Sequence, residues 1–228
     1  MLKHAISKIS IYLSKLYRYV TKKRTIVKKR VVFALSSDEE LKVDLPESKV
    51  ISIKIYKAEE FNKNKYDLIL GRILSPYKFK RYSKRIMDPR GWHIVIAYHG
   101  DEPAGCLWFL DINSNNFKFD SFIHDENQIL WGSSFVVPDY RGNKIHNRMK
   151  VKAHEYIQEN YSNKTIVSIV EAQNTSSMRS NTKLGAKVLG HNYLVKFLDF
   201  NILSIVDSGK DISERNVFFL PKYKQYKW

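Results

Sequence analysis

The stretch from Ser134 to His146 reads Ser-Phe-Val-Val-Pro-Asp-Tyr-Arg-Gly-Asn-Lys-Ile-His. An apolar run ends at Pro138, passes through a basic turn at Arg141-Gly142-Asn143-Lys144, and enters a helical pattern near Ile145. Backbone N–H groups in the first turn of a helix have no intrahelical acceptor and lie at the positive end of the helix dipole. A strand that feeds such a turn is therefore a site for phosphate. The turn carries two cations of its own, which suits a pyrophosphate better than a neutral ligand. These residues point to a phosphate-bearing cofactor.

Such a turn needs a frame to hold it. The chain has 228 residues with 43% hydrophobic and 13% aromatic content, enough for one packed domain with an appendage. Lys and Arg number 39 against 23 Asp and Glu, a net charge of +16 that favours anionic partners without choosing among nucleic acid, membrane and phosphorylated ligands. Cys106 is the single cysteine, so no internal disulfide forms and a reducing compartment is expected. No run approaches the roughly 18 apolar residues of a spanning helix. The N-terminal apolar residues are broken by Lys8, Lys15 and Arg18, unlike a secretory signal. The expected location is cytoplasmic.

The first acidic residue is Asp38. Ahead of it, Ile6, Ile9, Leu13, Leu16, Tyr17 and Val20 recur at helical spacing among lysines and arginines. This basic amphipathic helix either docks on an anionic membrane face through residues 1–30 or packs on its own domain with a solvated basic face. Val31–Leu35 reads as a short strand, and a linker through Ser48 closes an N-terminal unit, 1–48, ahead of the main domain, 49–228. Residues 50–56 alternate as a strand, and 57–87 hold one or two helices. Residues 92–98 and 104–110 form a hairpin, with further strands at 117–122 and 129–137. A helix over 142–160 and a strand over 165–170 follow. A helix over 174–184 then closes on Gly185, and strands over 193–200 and 217–220 finish the chain. The fold class is α/β, a mixed sheet in which the helix over 142–160 joins two parallel strands.

With this order in place, two segments resemble the GNAT superfamily of acyl-CoA-dependent N-acyltransferases. Val136-Val137-Pro138-Asp139-Tyr140-Arg141-Gly142-Asn143-Lys144-Ile145 is similar to that family's Val-x-Pro strand end followed by Arg-Gly-x-Gly-x-Gly or Ala. Asn174-x-x-Ser177-x-x-x-Asn181-x-x-Leu184-Gly185-Ala186 is similar to its later helix, which opens on Asn and ends on Leu-Gly-Phe. One helix and one strand separate the two, as in the family, and the likeness covers residues 50–220. It implies a GNAT-like central mixed sheet flanked by helices, with acetyl-CoA as acyl donor. The pyrophosphate would rest on the N–H groups of Gly142, Asn143, Lys144, Ile145 and His146, beside Arg141. The pantetheine arm would pair with Phe135, Val136 and Val137. Asn174 would cap its helix near the cofactor.

Departures from the pattern bear on function. Lys144 stands where the family has Gly, and His146 where it has Gly or Ala; either side chain could crowd the pyrophosphate, or Lys144 could add a phosphate contact. Many members use a Tyr as the acid at the position of Asn181. No carboxylate lies in 129–137, where relatives often carry a base. Glu171 is the expected general base, against the alternative of a solvent-facing strand end; His124, Asp125 and Glu126 come next.

The remaining candidates have simpler accounts. Cys106 belongs in an apolar strand. His146 and His154 carry no metal-site motif, and no metal is expected. Arg81 to Arg85 reads as a solvated helix face. Tyr223, Tyr226 and Trp228 could stack on bases, but a packed aromatic tail suffices.

The resemblance implies an N-acetyltransferase that acts on a primary amine of a small molecule or glycan. The layout also resembles GNAT-type proteins of bacterial cell-surface polysaccharide pathways, which implies an amino sugar, nucleotide-linked or lipid-linked. The alternatives are an inactive GNAT-like binding module and a basic protein that binds anionic surfaces. No nucleic-acid motif is recognised, so no specific nucleic acid is expected.

Overall fold

The computed structural model describes residues 25–43, 45–86, 88–113, 117–119, 122–124, 126–197, 200–207 and 216–219. Its centre is a sheet whose strands are apolar on both faces. β3 (His93–His99) and β4 (Glu102–Asp111) follow β1 (Thr25–Ser36) and β2 (Ile51–Tyr56). Ile94, Ile96, Cys106, Trp108 and Leu110 pack on one side, and Val95, Ala97, Leu107 and Phe109 on the other. Strand side chains alternate between faces, so two apolar faces require cover on both. Helices α1 (Lys63–Leu70) and α2 (Pro76–Ile86) cover the first through Tyr66, Leu70 and Tyr82. Helix α3 (Ile145–Asn160) covers the second through Ile145, Met149, Ala153 and Ile157, a helical face of spacing four. Each fully buried side chain of this size contributes about 1.5–3 kcal/mol.

Among the described residues, short strands β5 (Phe117–Phe119) and β6 (Phe122–His124) pair only with each other. The main sheet continues with β7 (Gln128–Val136), β8 (Thr165–Glu171), β9 (Lys187–Phe197), β10 (Phe200–Asp207) and β11 (Asn216–Phe219), with helix α4 (Thr175–Lys183) between β8 and β9. Among the described residues it has nine strands in the order β11-β10-β9-β1-β8-β7-β4-β3-β2. Only β7 and β8 are parallel, joined by α3 as the sequence pattern implies. No described helix is long and apolar enough to cross a membrane.

The structure corrects several boundaries. The strand expected over 31–35 runs from Thr25 to Ser36 and lies between β8 and β9. β1 is therefore built into the sheet of the main domain, and the division at residue 48 does not mark it off. Residues 25–30, expected within the basic N-terminal segment, are strand. The helix of residues 6–20 lies outside the described residues. The strand expected over 117–122 is a two-strand hairpin, and that over 193–200 is the end of β9 and the start of β10.

Candidate active site

Strands β7 and β8 begin together and then part. Their ladder pairs Gln128 with Thr165 and ends at Trp131 with Ser168. Beyond it, β7 continues against β4, with Val136 opposite Gly105, while β8 continues against β1, with Glu171 opposite Arg30. Between Trp131 and Ser134, β7 holds one more residue than β4 does between Leu107 and Phe109, a bulge that turns the strand away from β8. Gly132 lies in that bulge, where a Cβ would stand 2.8 Å from the Trp92 ring. The result is a wedge between two parallel strands.

The N-terminus of α3 lies at the mouth of this wedge. Gly142 and Lys144 both adopt left-handed backbone, φ 90° and 55°. Lys144 is the N-cap, and the helical ladder begins with Arg148 N–H donating to its carbonyl at 3.0 Å. The amides of Ile145, His146 and Asn147 therefore lack intrahelical acceptors. A cavity of about 360 Å³ opens here, lined by Lys78, Arg141, Gly142, Lys144, Ser134 and Val136 among others. Lys78 Nζ lies 4.0 Å from the Phe135 ring centroid, so a third cation faces the same space.

A second cavity, of about 330 Å³, shares Ser134, His146 and Ser177 with the first and reaches into the wedge. Its floor is polar. Ser134 Oγ and His146 Nε2 share a hydrogen bond at 2.9 Å. One helical turn further on, Lys150 Nζ donates to Asn181 Oδ1 at 2.6 Å and lies 5.3 Å from the Trp131 ring centroid. Ser168 Oγ donates to the same Asn181 oxygen at 3.2 Å, and Asn181 Nδ2 donates to the Ser177 carbonyl at 3.1 Å. Lys150 and Asn181 are buried, 4% and 1% exposed. Burial pulls the Lys150 ammonium down to about 7. Burial, and then the neighbouring Lys150 charge, pushes His146 down to about 3. The cleft thus holds a neutral imidazole beside an amine that changes charge near neutral pH.

No family model matches the chain, and no curated protein matches it by sequence. Solved structures do match in shape. A tandem GNAT protein from the clavulanic acid biosynthesis pathway superposes with a TM-score of 0.56 at 13% identity, over 72% of this chain and 51% of its own. A functionally unknown protein from Staphylococcus epidermidis gives 0.53 at 12% identity, over 80% and 66%. A GCN5-related N-acetyltransferase from Sphaerobacter thermophilus gives 0.50 at 16% identity, over 83% and 58%. The chain has the GNAT fold. It spans between half and two thirds of these structures, and identities this low carry the fold alone.

Within the GNAT fold, the residues singled out from the sequence fall in three places. Phe135, Val136, Arg141, Gly142, Lys144, Ile145 and His146 line the cavity at the start of α3, with Ile145 sending its side chain into the core. Asn143 turns back and donates from Nδ2 to the Tyr140 carbonyl at 3.2 Å. Val137 N–H already donates to the Ala104 carbonyl at 2.9 Å. Strand alternation then turns the backbone groups of Ser134 and Val136 toward the wedge, and Arg141 Nε donates to the Val136 carbonyl at 3.4 Å. Asn174 caps α4 as expected, accepting from Ser177 N–H at 3.1 Å, and lines the inner cavity.

Glu171 also lines the inner cavity, at its rim, with Lys28 Nζ 2.9 Å away. Glu126 is exposed, His124 lies in β6, and Asp125 and the tail with Tyr223, Tyr226 and Trp228 lie outside the described residues. Cys106 is buried as expected, and burial raises its thiol to about 12. Arg85 departs from expectation. Its guanidinium is buried among the rings of Tyr82, Trp92 and Trp108, at 5.1, 4.4 and 5.6 Å, and Nη2 donates to Ser133 Oγ at 3.1 Å. Sequence reasoning missed Lys150, Ser168 and Lys78. The one available signal was Lys150 four residues after His146.

Proposed function

We propose that this chain is an N-acyltransferase that moves an acetyl group from acetyl-CoA to a primary amine of a small molecule or glycan. The observation that carries this reading is a pair of adjoining cavities with Ser134, His146 and Ser177 in both linings, one over the amides and cations at the start of α3, the other in the wedge between β7 and β8. A long ligand with a charged end and a narrow arm fits that shape. The left-handed turn supports the fit. A Cβ on Gly142 would meet nothing within 4 Å, so open space adjoins the loop at that position.

When bound, acetyl-CoA supplies an acyl group already activated as a thioester. The amides of Gly142 to His146, with Arg141, Lys144 and Lys78, hold the diphosphate. The backbone of Ser134 and Val136 holds the arm as a sheet edge holds a strand. His146, neutral and fixed on Ser134, shapes the floor. Glu171 at the rim takes the proton from the incoming amine.

Calorimetry with acetyl-CoA, followed by thiol release against a panel of amines that includes amino sugars, tests the reading. Binding together with thiol release to at least one amine supports it. Absence of acetyl-CoA binding overturns it, and binding without release to any amine would favour a binding module.

A further inference from the structure

Lys150 has a place that the proposed mechanism leaves unused. It is 4% exposed, yet no carboxylate pairs with it among the described residues. Its one hydrogen bond goes to Asn181, and an ammonium has three donors. The remaining N–H groups belong to a side chain that lines the inner cavity. The other titratable groups on this cavity are His146 from α3, Arg81, Tyr82 and Arg85 from α2, and Glu171 from β8. β7 contributes Trp131, Ser133 and Ser134, and α4 contributes Ser177 and Asn181, none of them titrating near neutrality. A cation buried at the end of a wedge, with donors to spare and an asparagine fixing its direction, is placed to act on what fills the wedge.

We propose that Lys150 is a catalytic proton donor to the sulfur of the acyl donor, a role that rests on the N-acyltransferase reading above. The acceptor's neutral amine forms the N–C bond as the C–S bond breaks. Lys150 Nζ gives one proton to the departing sulfur, the acceptor nitrogen gives one to Glu171, and solvent later restores both groups. Asn181 is a positioning residue: its oxygen holds Nζ, and Ser168 and the Ser177 carbonyl hold the amide. Burial brings Lys150 to about 7, so the ammonium form is present below that pH and lost above it. A donor with that value transfers readily to a thiolate, whose conjugate acid titrates near about 8.5 in an ordinary thiol.

The test uses the full chain with bromoacetyl-CoA, an acyl-CoA analogue whose carbon is attacked by a nearby amine with loss of bromide and a proton. The expected label is on Lys150 Nζ, with a rate half-maximal near pH 7. Acetyl-CoA should block it. Lys150→Met and Lys150→Arg should lose the label and bind acetyl-CoA within about threefold of the unsubstituted chain. Thiol release to hydroxylamine should fall above pH 7, and by about 10²–10⁴-fold at all pH in Lys150→Met. Label at another residue, or at Lys150 without protection by acetyl-CoA, overturns the placement. A profile without the alkaline fall, or a fall that persists in Lys150→Met, overturns the proton-donor role. If acetyl-CoA binds and Lys150 stays unlabelled, this inference alone fails; if acetyl-CoA does not bind, the functional reading fails with it.

Discussion

At the residue scale, Lys144 separates two effects. Its left-handed backbone is costly for a residue with a side chain, about 1–2 kcal/mol, partly offset in glycine by lost chain entropy. Lys144→Gly should therefore hold stability level or raise it by up to about 1 kcal/mol in denaturant melts, while weakening acetyl-CoA affinity in calorimetry. Unchanged or tighter affinity would remove Lys144 from phosphate binding. Glu171 offers a similar separation. Its carboxylate is 54% exposed and its pairing with Lys28 is a surface one, worth little to stability. Glu171→Gln should leave the melting temperature unchanged and lower kcat about 10²–10⁴-fold; a change under about threefold would assign the proton to another group. The turn from Arg141 to Lys144 and the helix that starts after it were legible in the sequence because both are set by residues within a dozen positions. Lys150 was not, because a helical lysine is ordinarily solvated, and this one is buried by Trp131 and Asn181 from distant segments.

At the scale of elements, the wedge depends on the bulge in β7. A Cβ on Gly132 would stand 2.8 Å from Trp92, 3.1 Å from the Arg85 guanidinium and 3.3 Å from the Trp108 carbonyl. Gly132→Ala should cost about 1–3 kcal/mol by overpacking, read from chemical denaturation, and should weaken acetyl-CoA binding as the strand shifts. A fully stable variant would show that the bulge tolerates a side chain. Most strands and both helices of the two motifs were visible from period and caps. β1 was visible only in part. Lys28, Lys29 and Arg30 break the apolar run, and the strand forms there because β8 and β9 pair with it on both sides.

For the whole molecule, burial lowers the pKa of His93, His146 and His154, each from an ordinary value of 6.5. Unfolded imidazoles take up protons near that value, and the folded ones refuse them until lower pH. The unfolded state then binds more protons, so stability falls as pH drops from 7 to 5. Lys150 has the same sign higher up: its folded value near 7 lies below the unfolded 10.5, so its contribution rises with pH between those limits. Thermal melts across pH 5 to 9 should show a rising melting temperature, and Lys150→Met should flatten the part above pH 7. A profile that is flat or falls with pH would mean that these groups are not buried as described. The positive surplus of 16 charges adds long-range attraction for a polyphosphate ligand, which salt screens.

The most direct measurement is a crystal structure of the full chain with coenzyme A. The expected density has the diphosphate on the amides of Gly142 to His146, the arm along Ser134 and Val136, and the sulfur beside Lys150. Coenzyme A seated elsewhere on the chain, with the wedge between β7 and β8 left to solvent, would contradict the account.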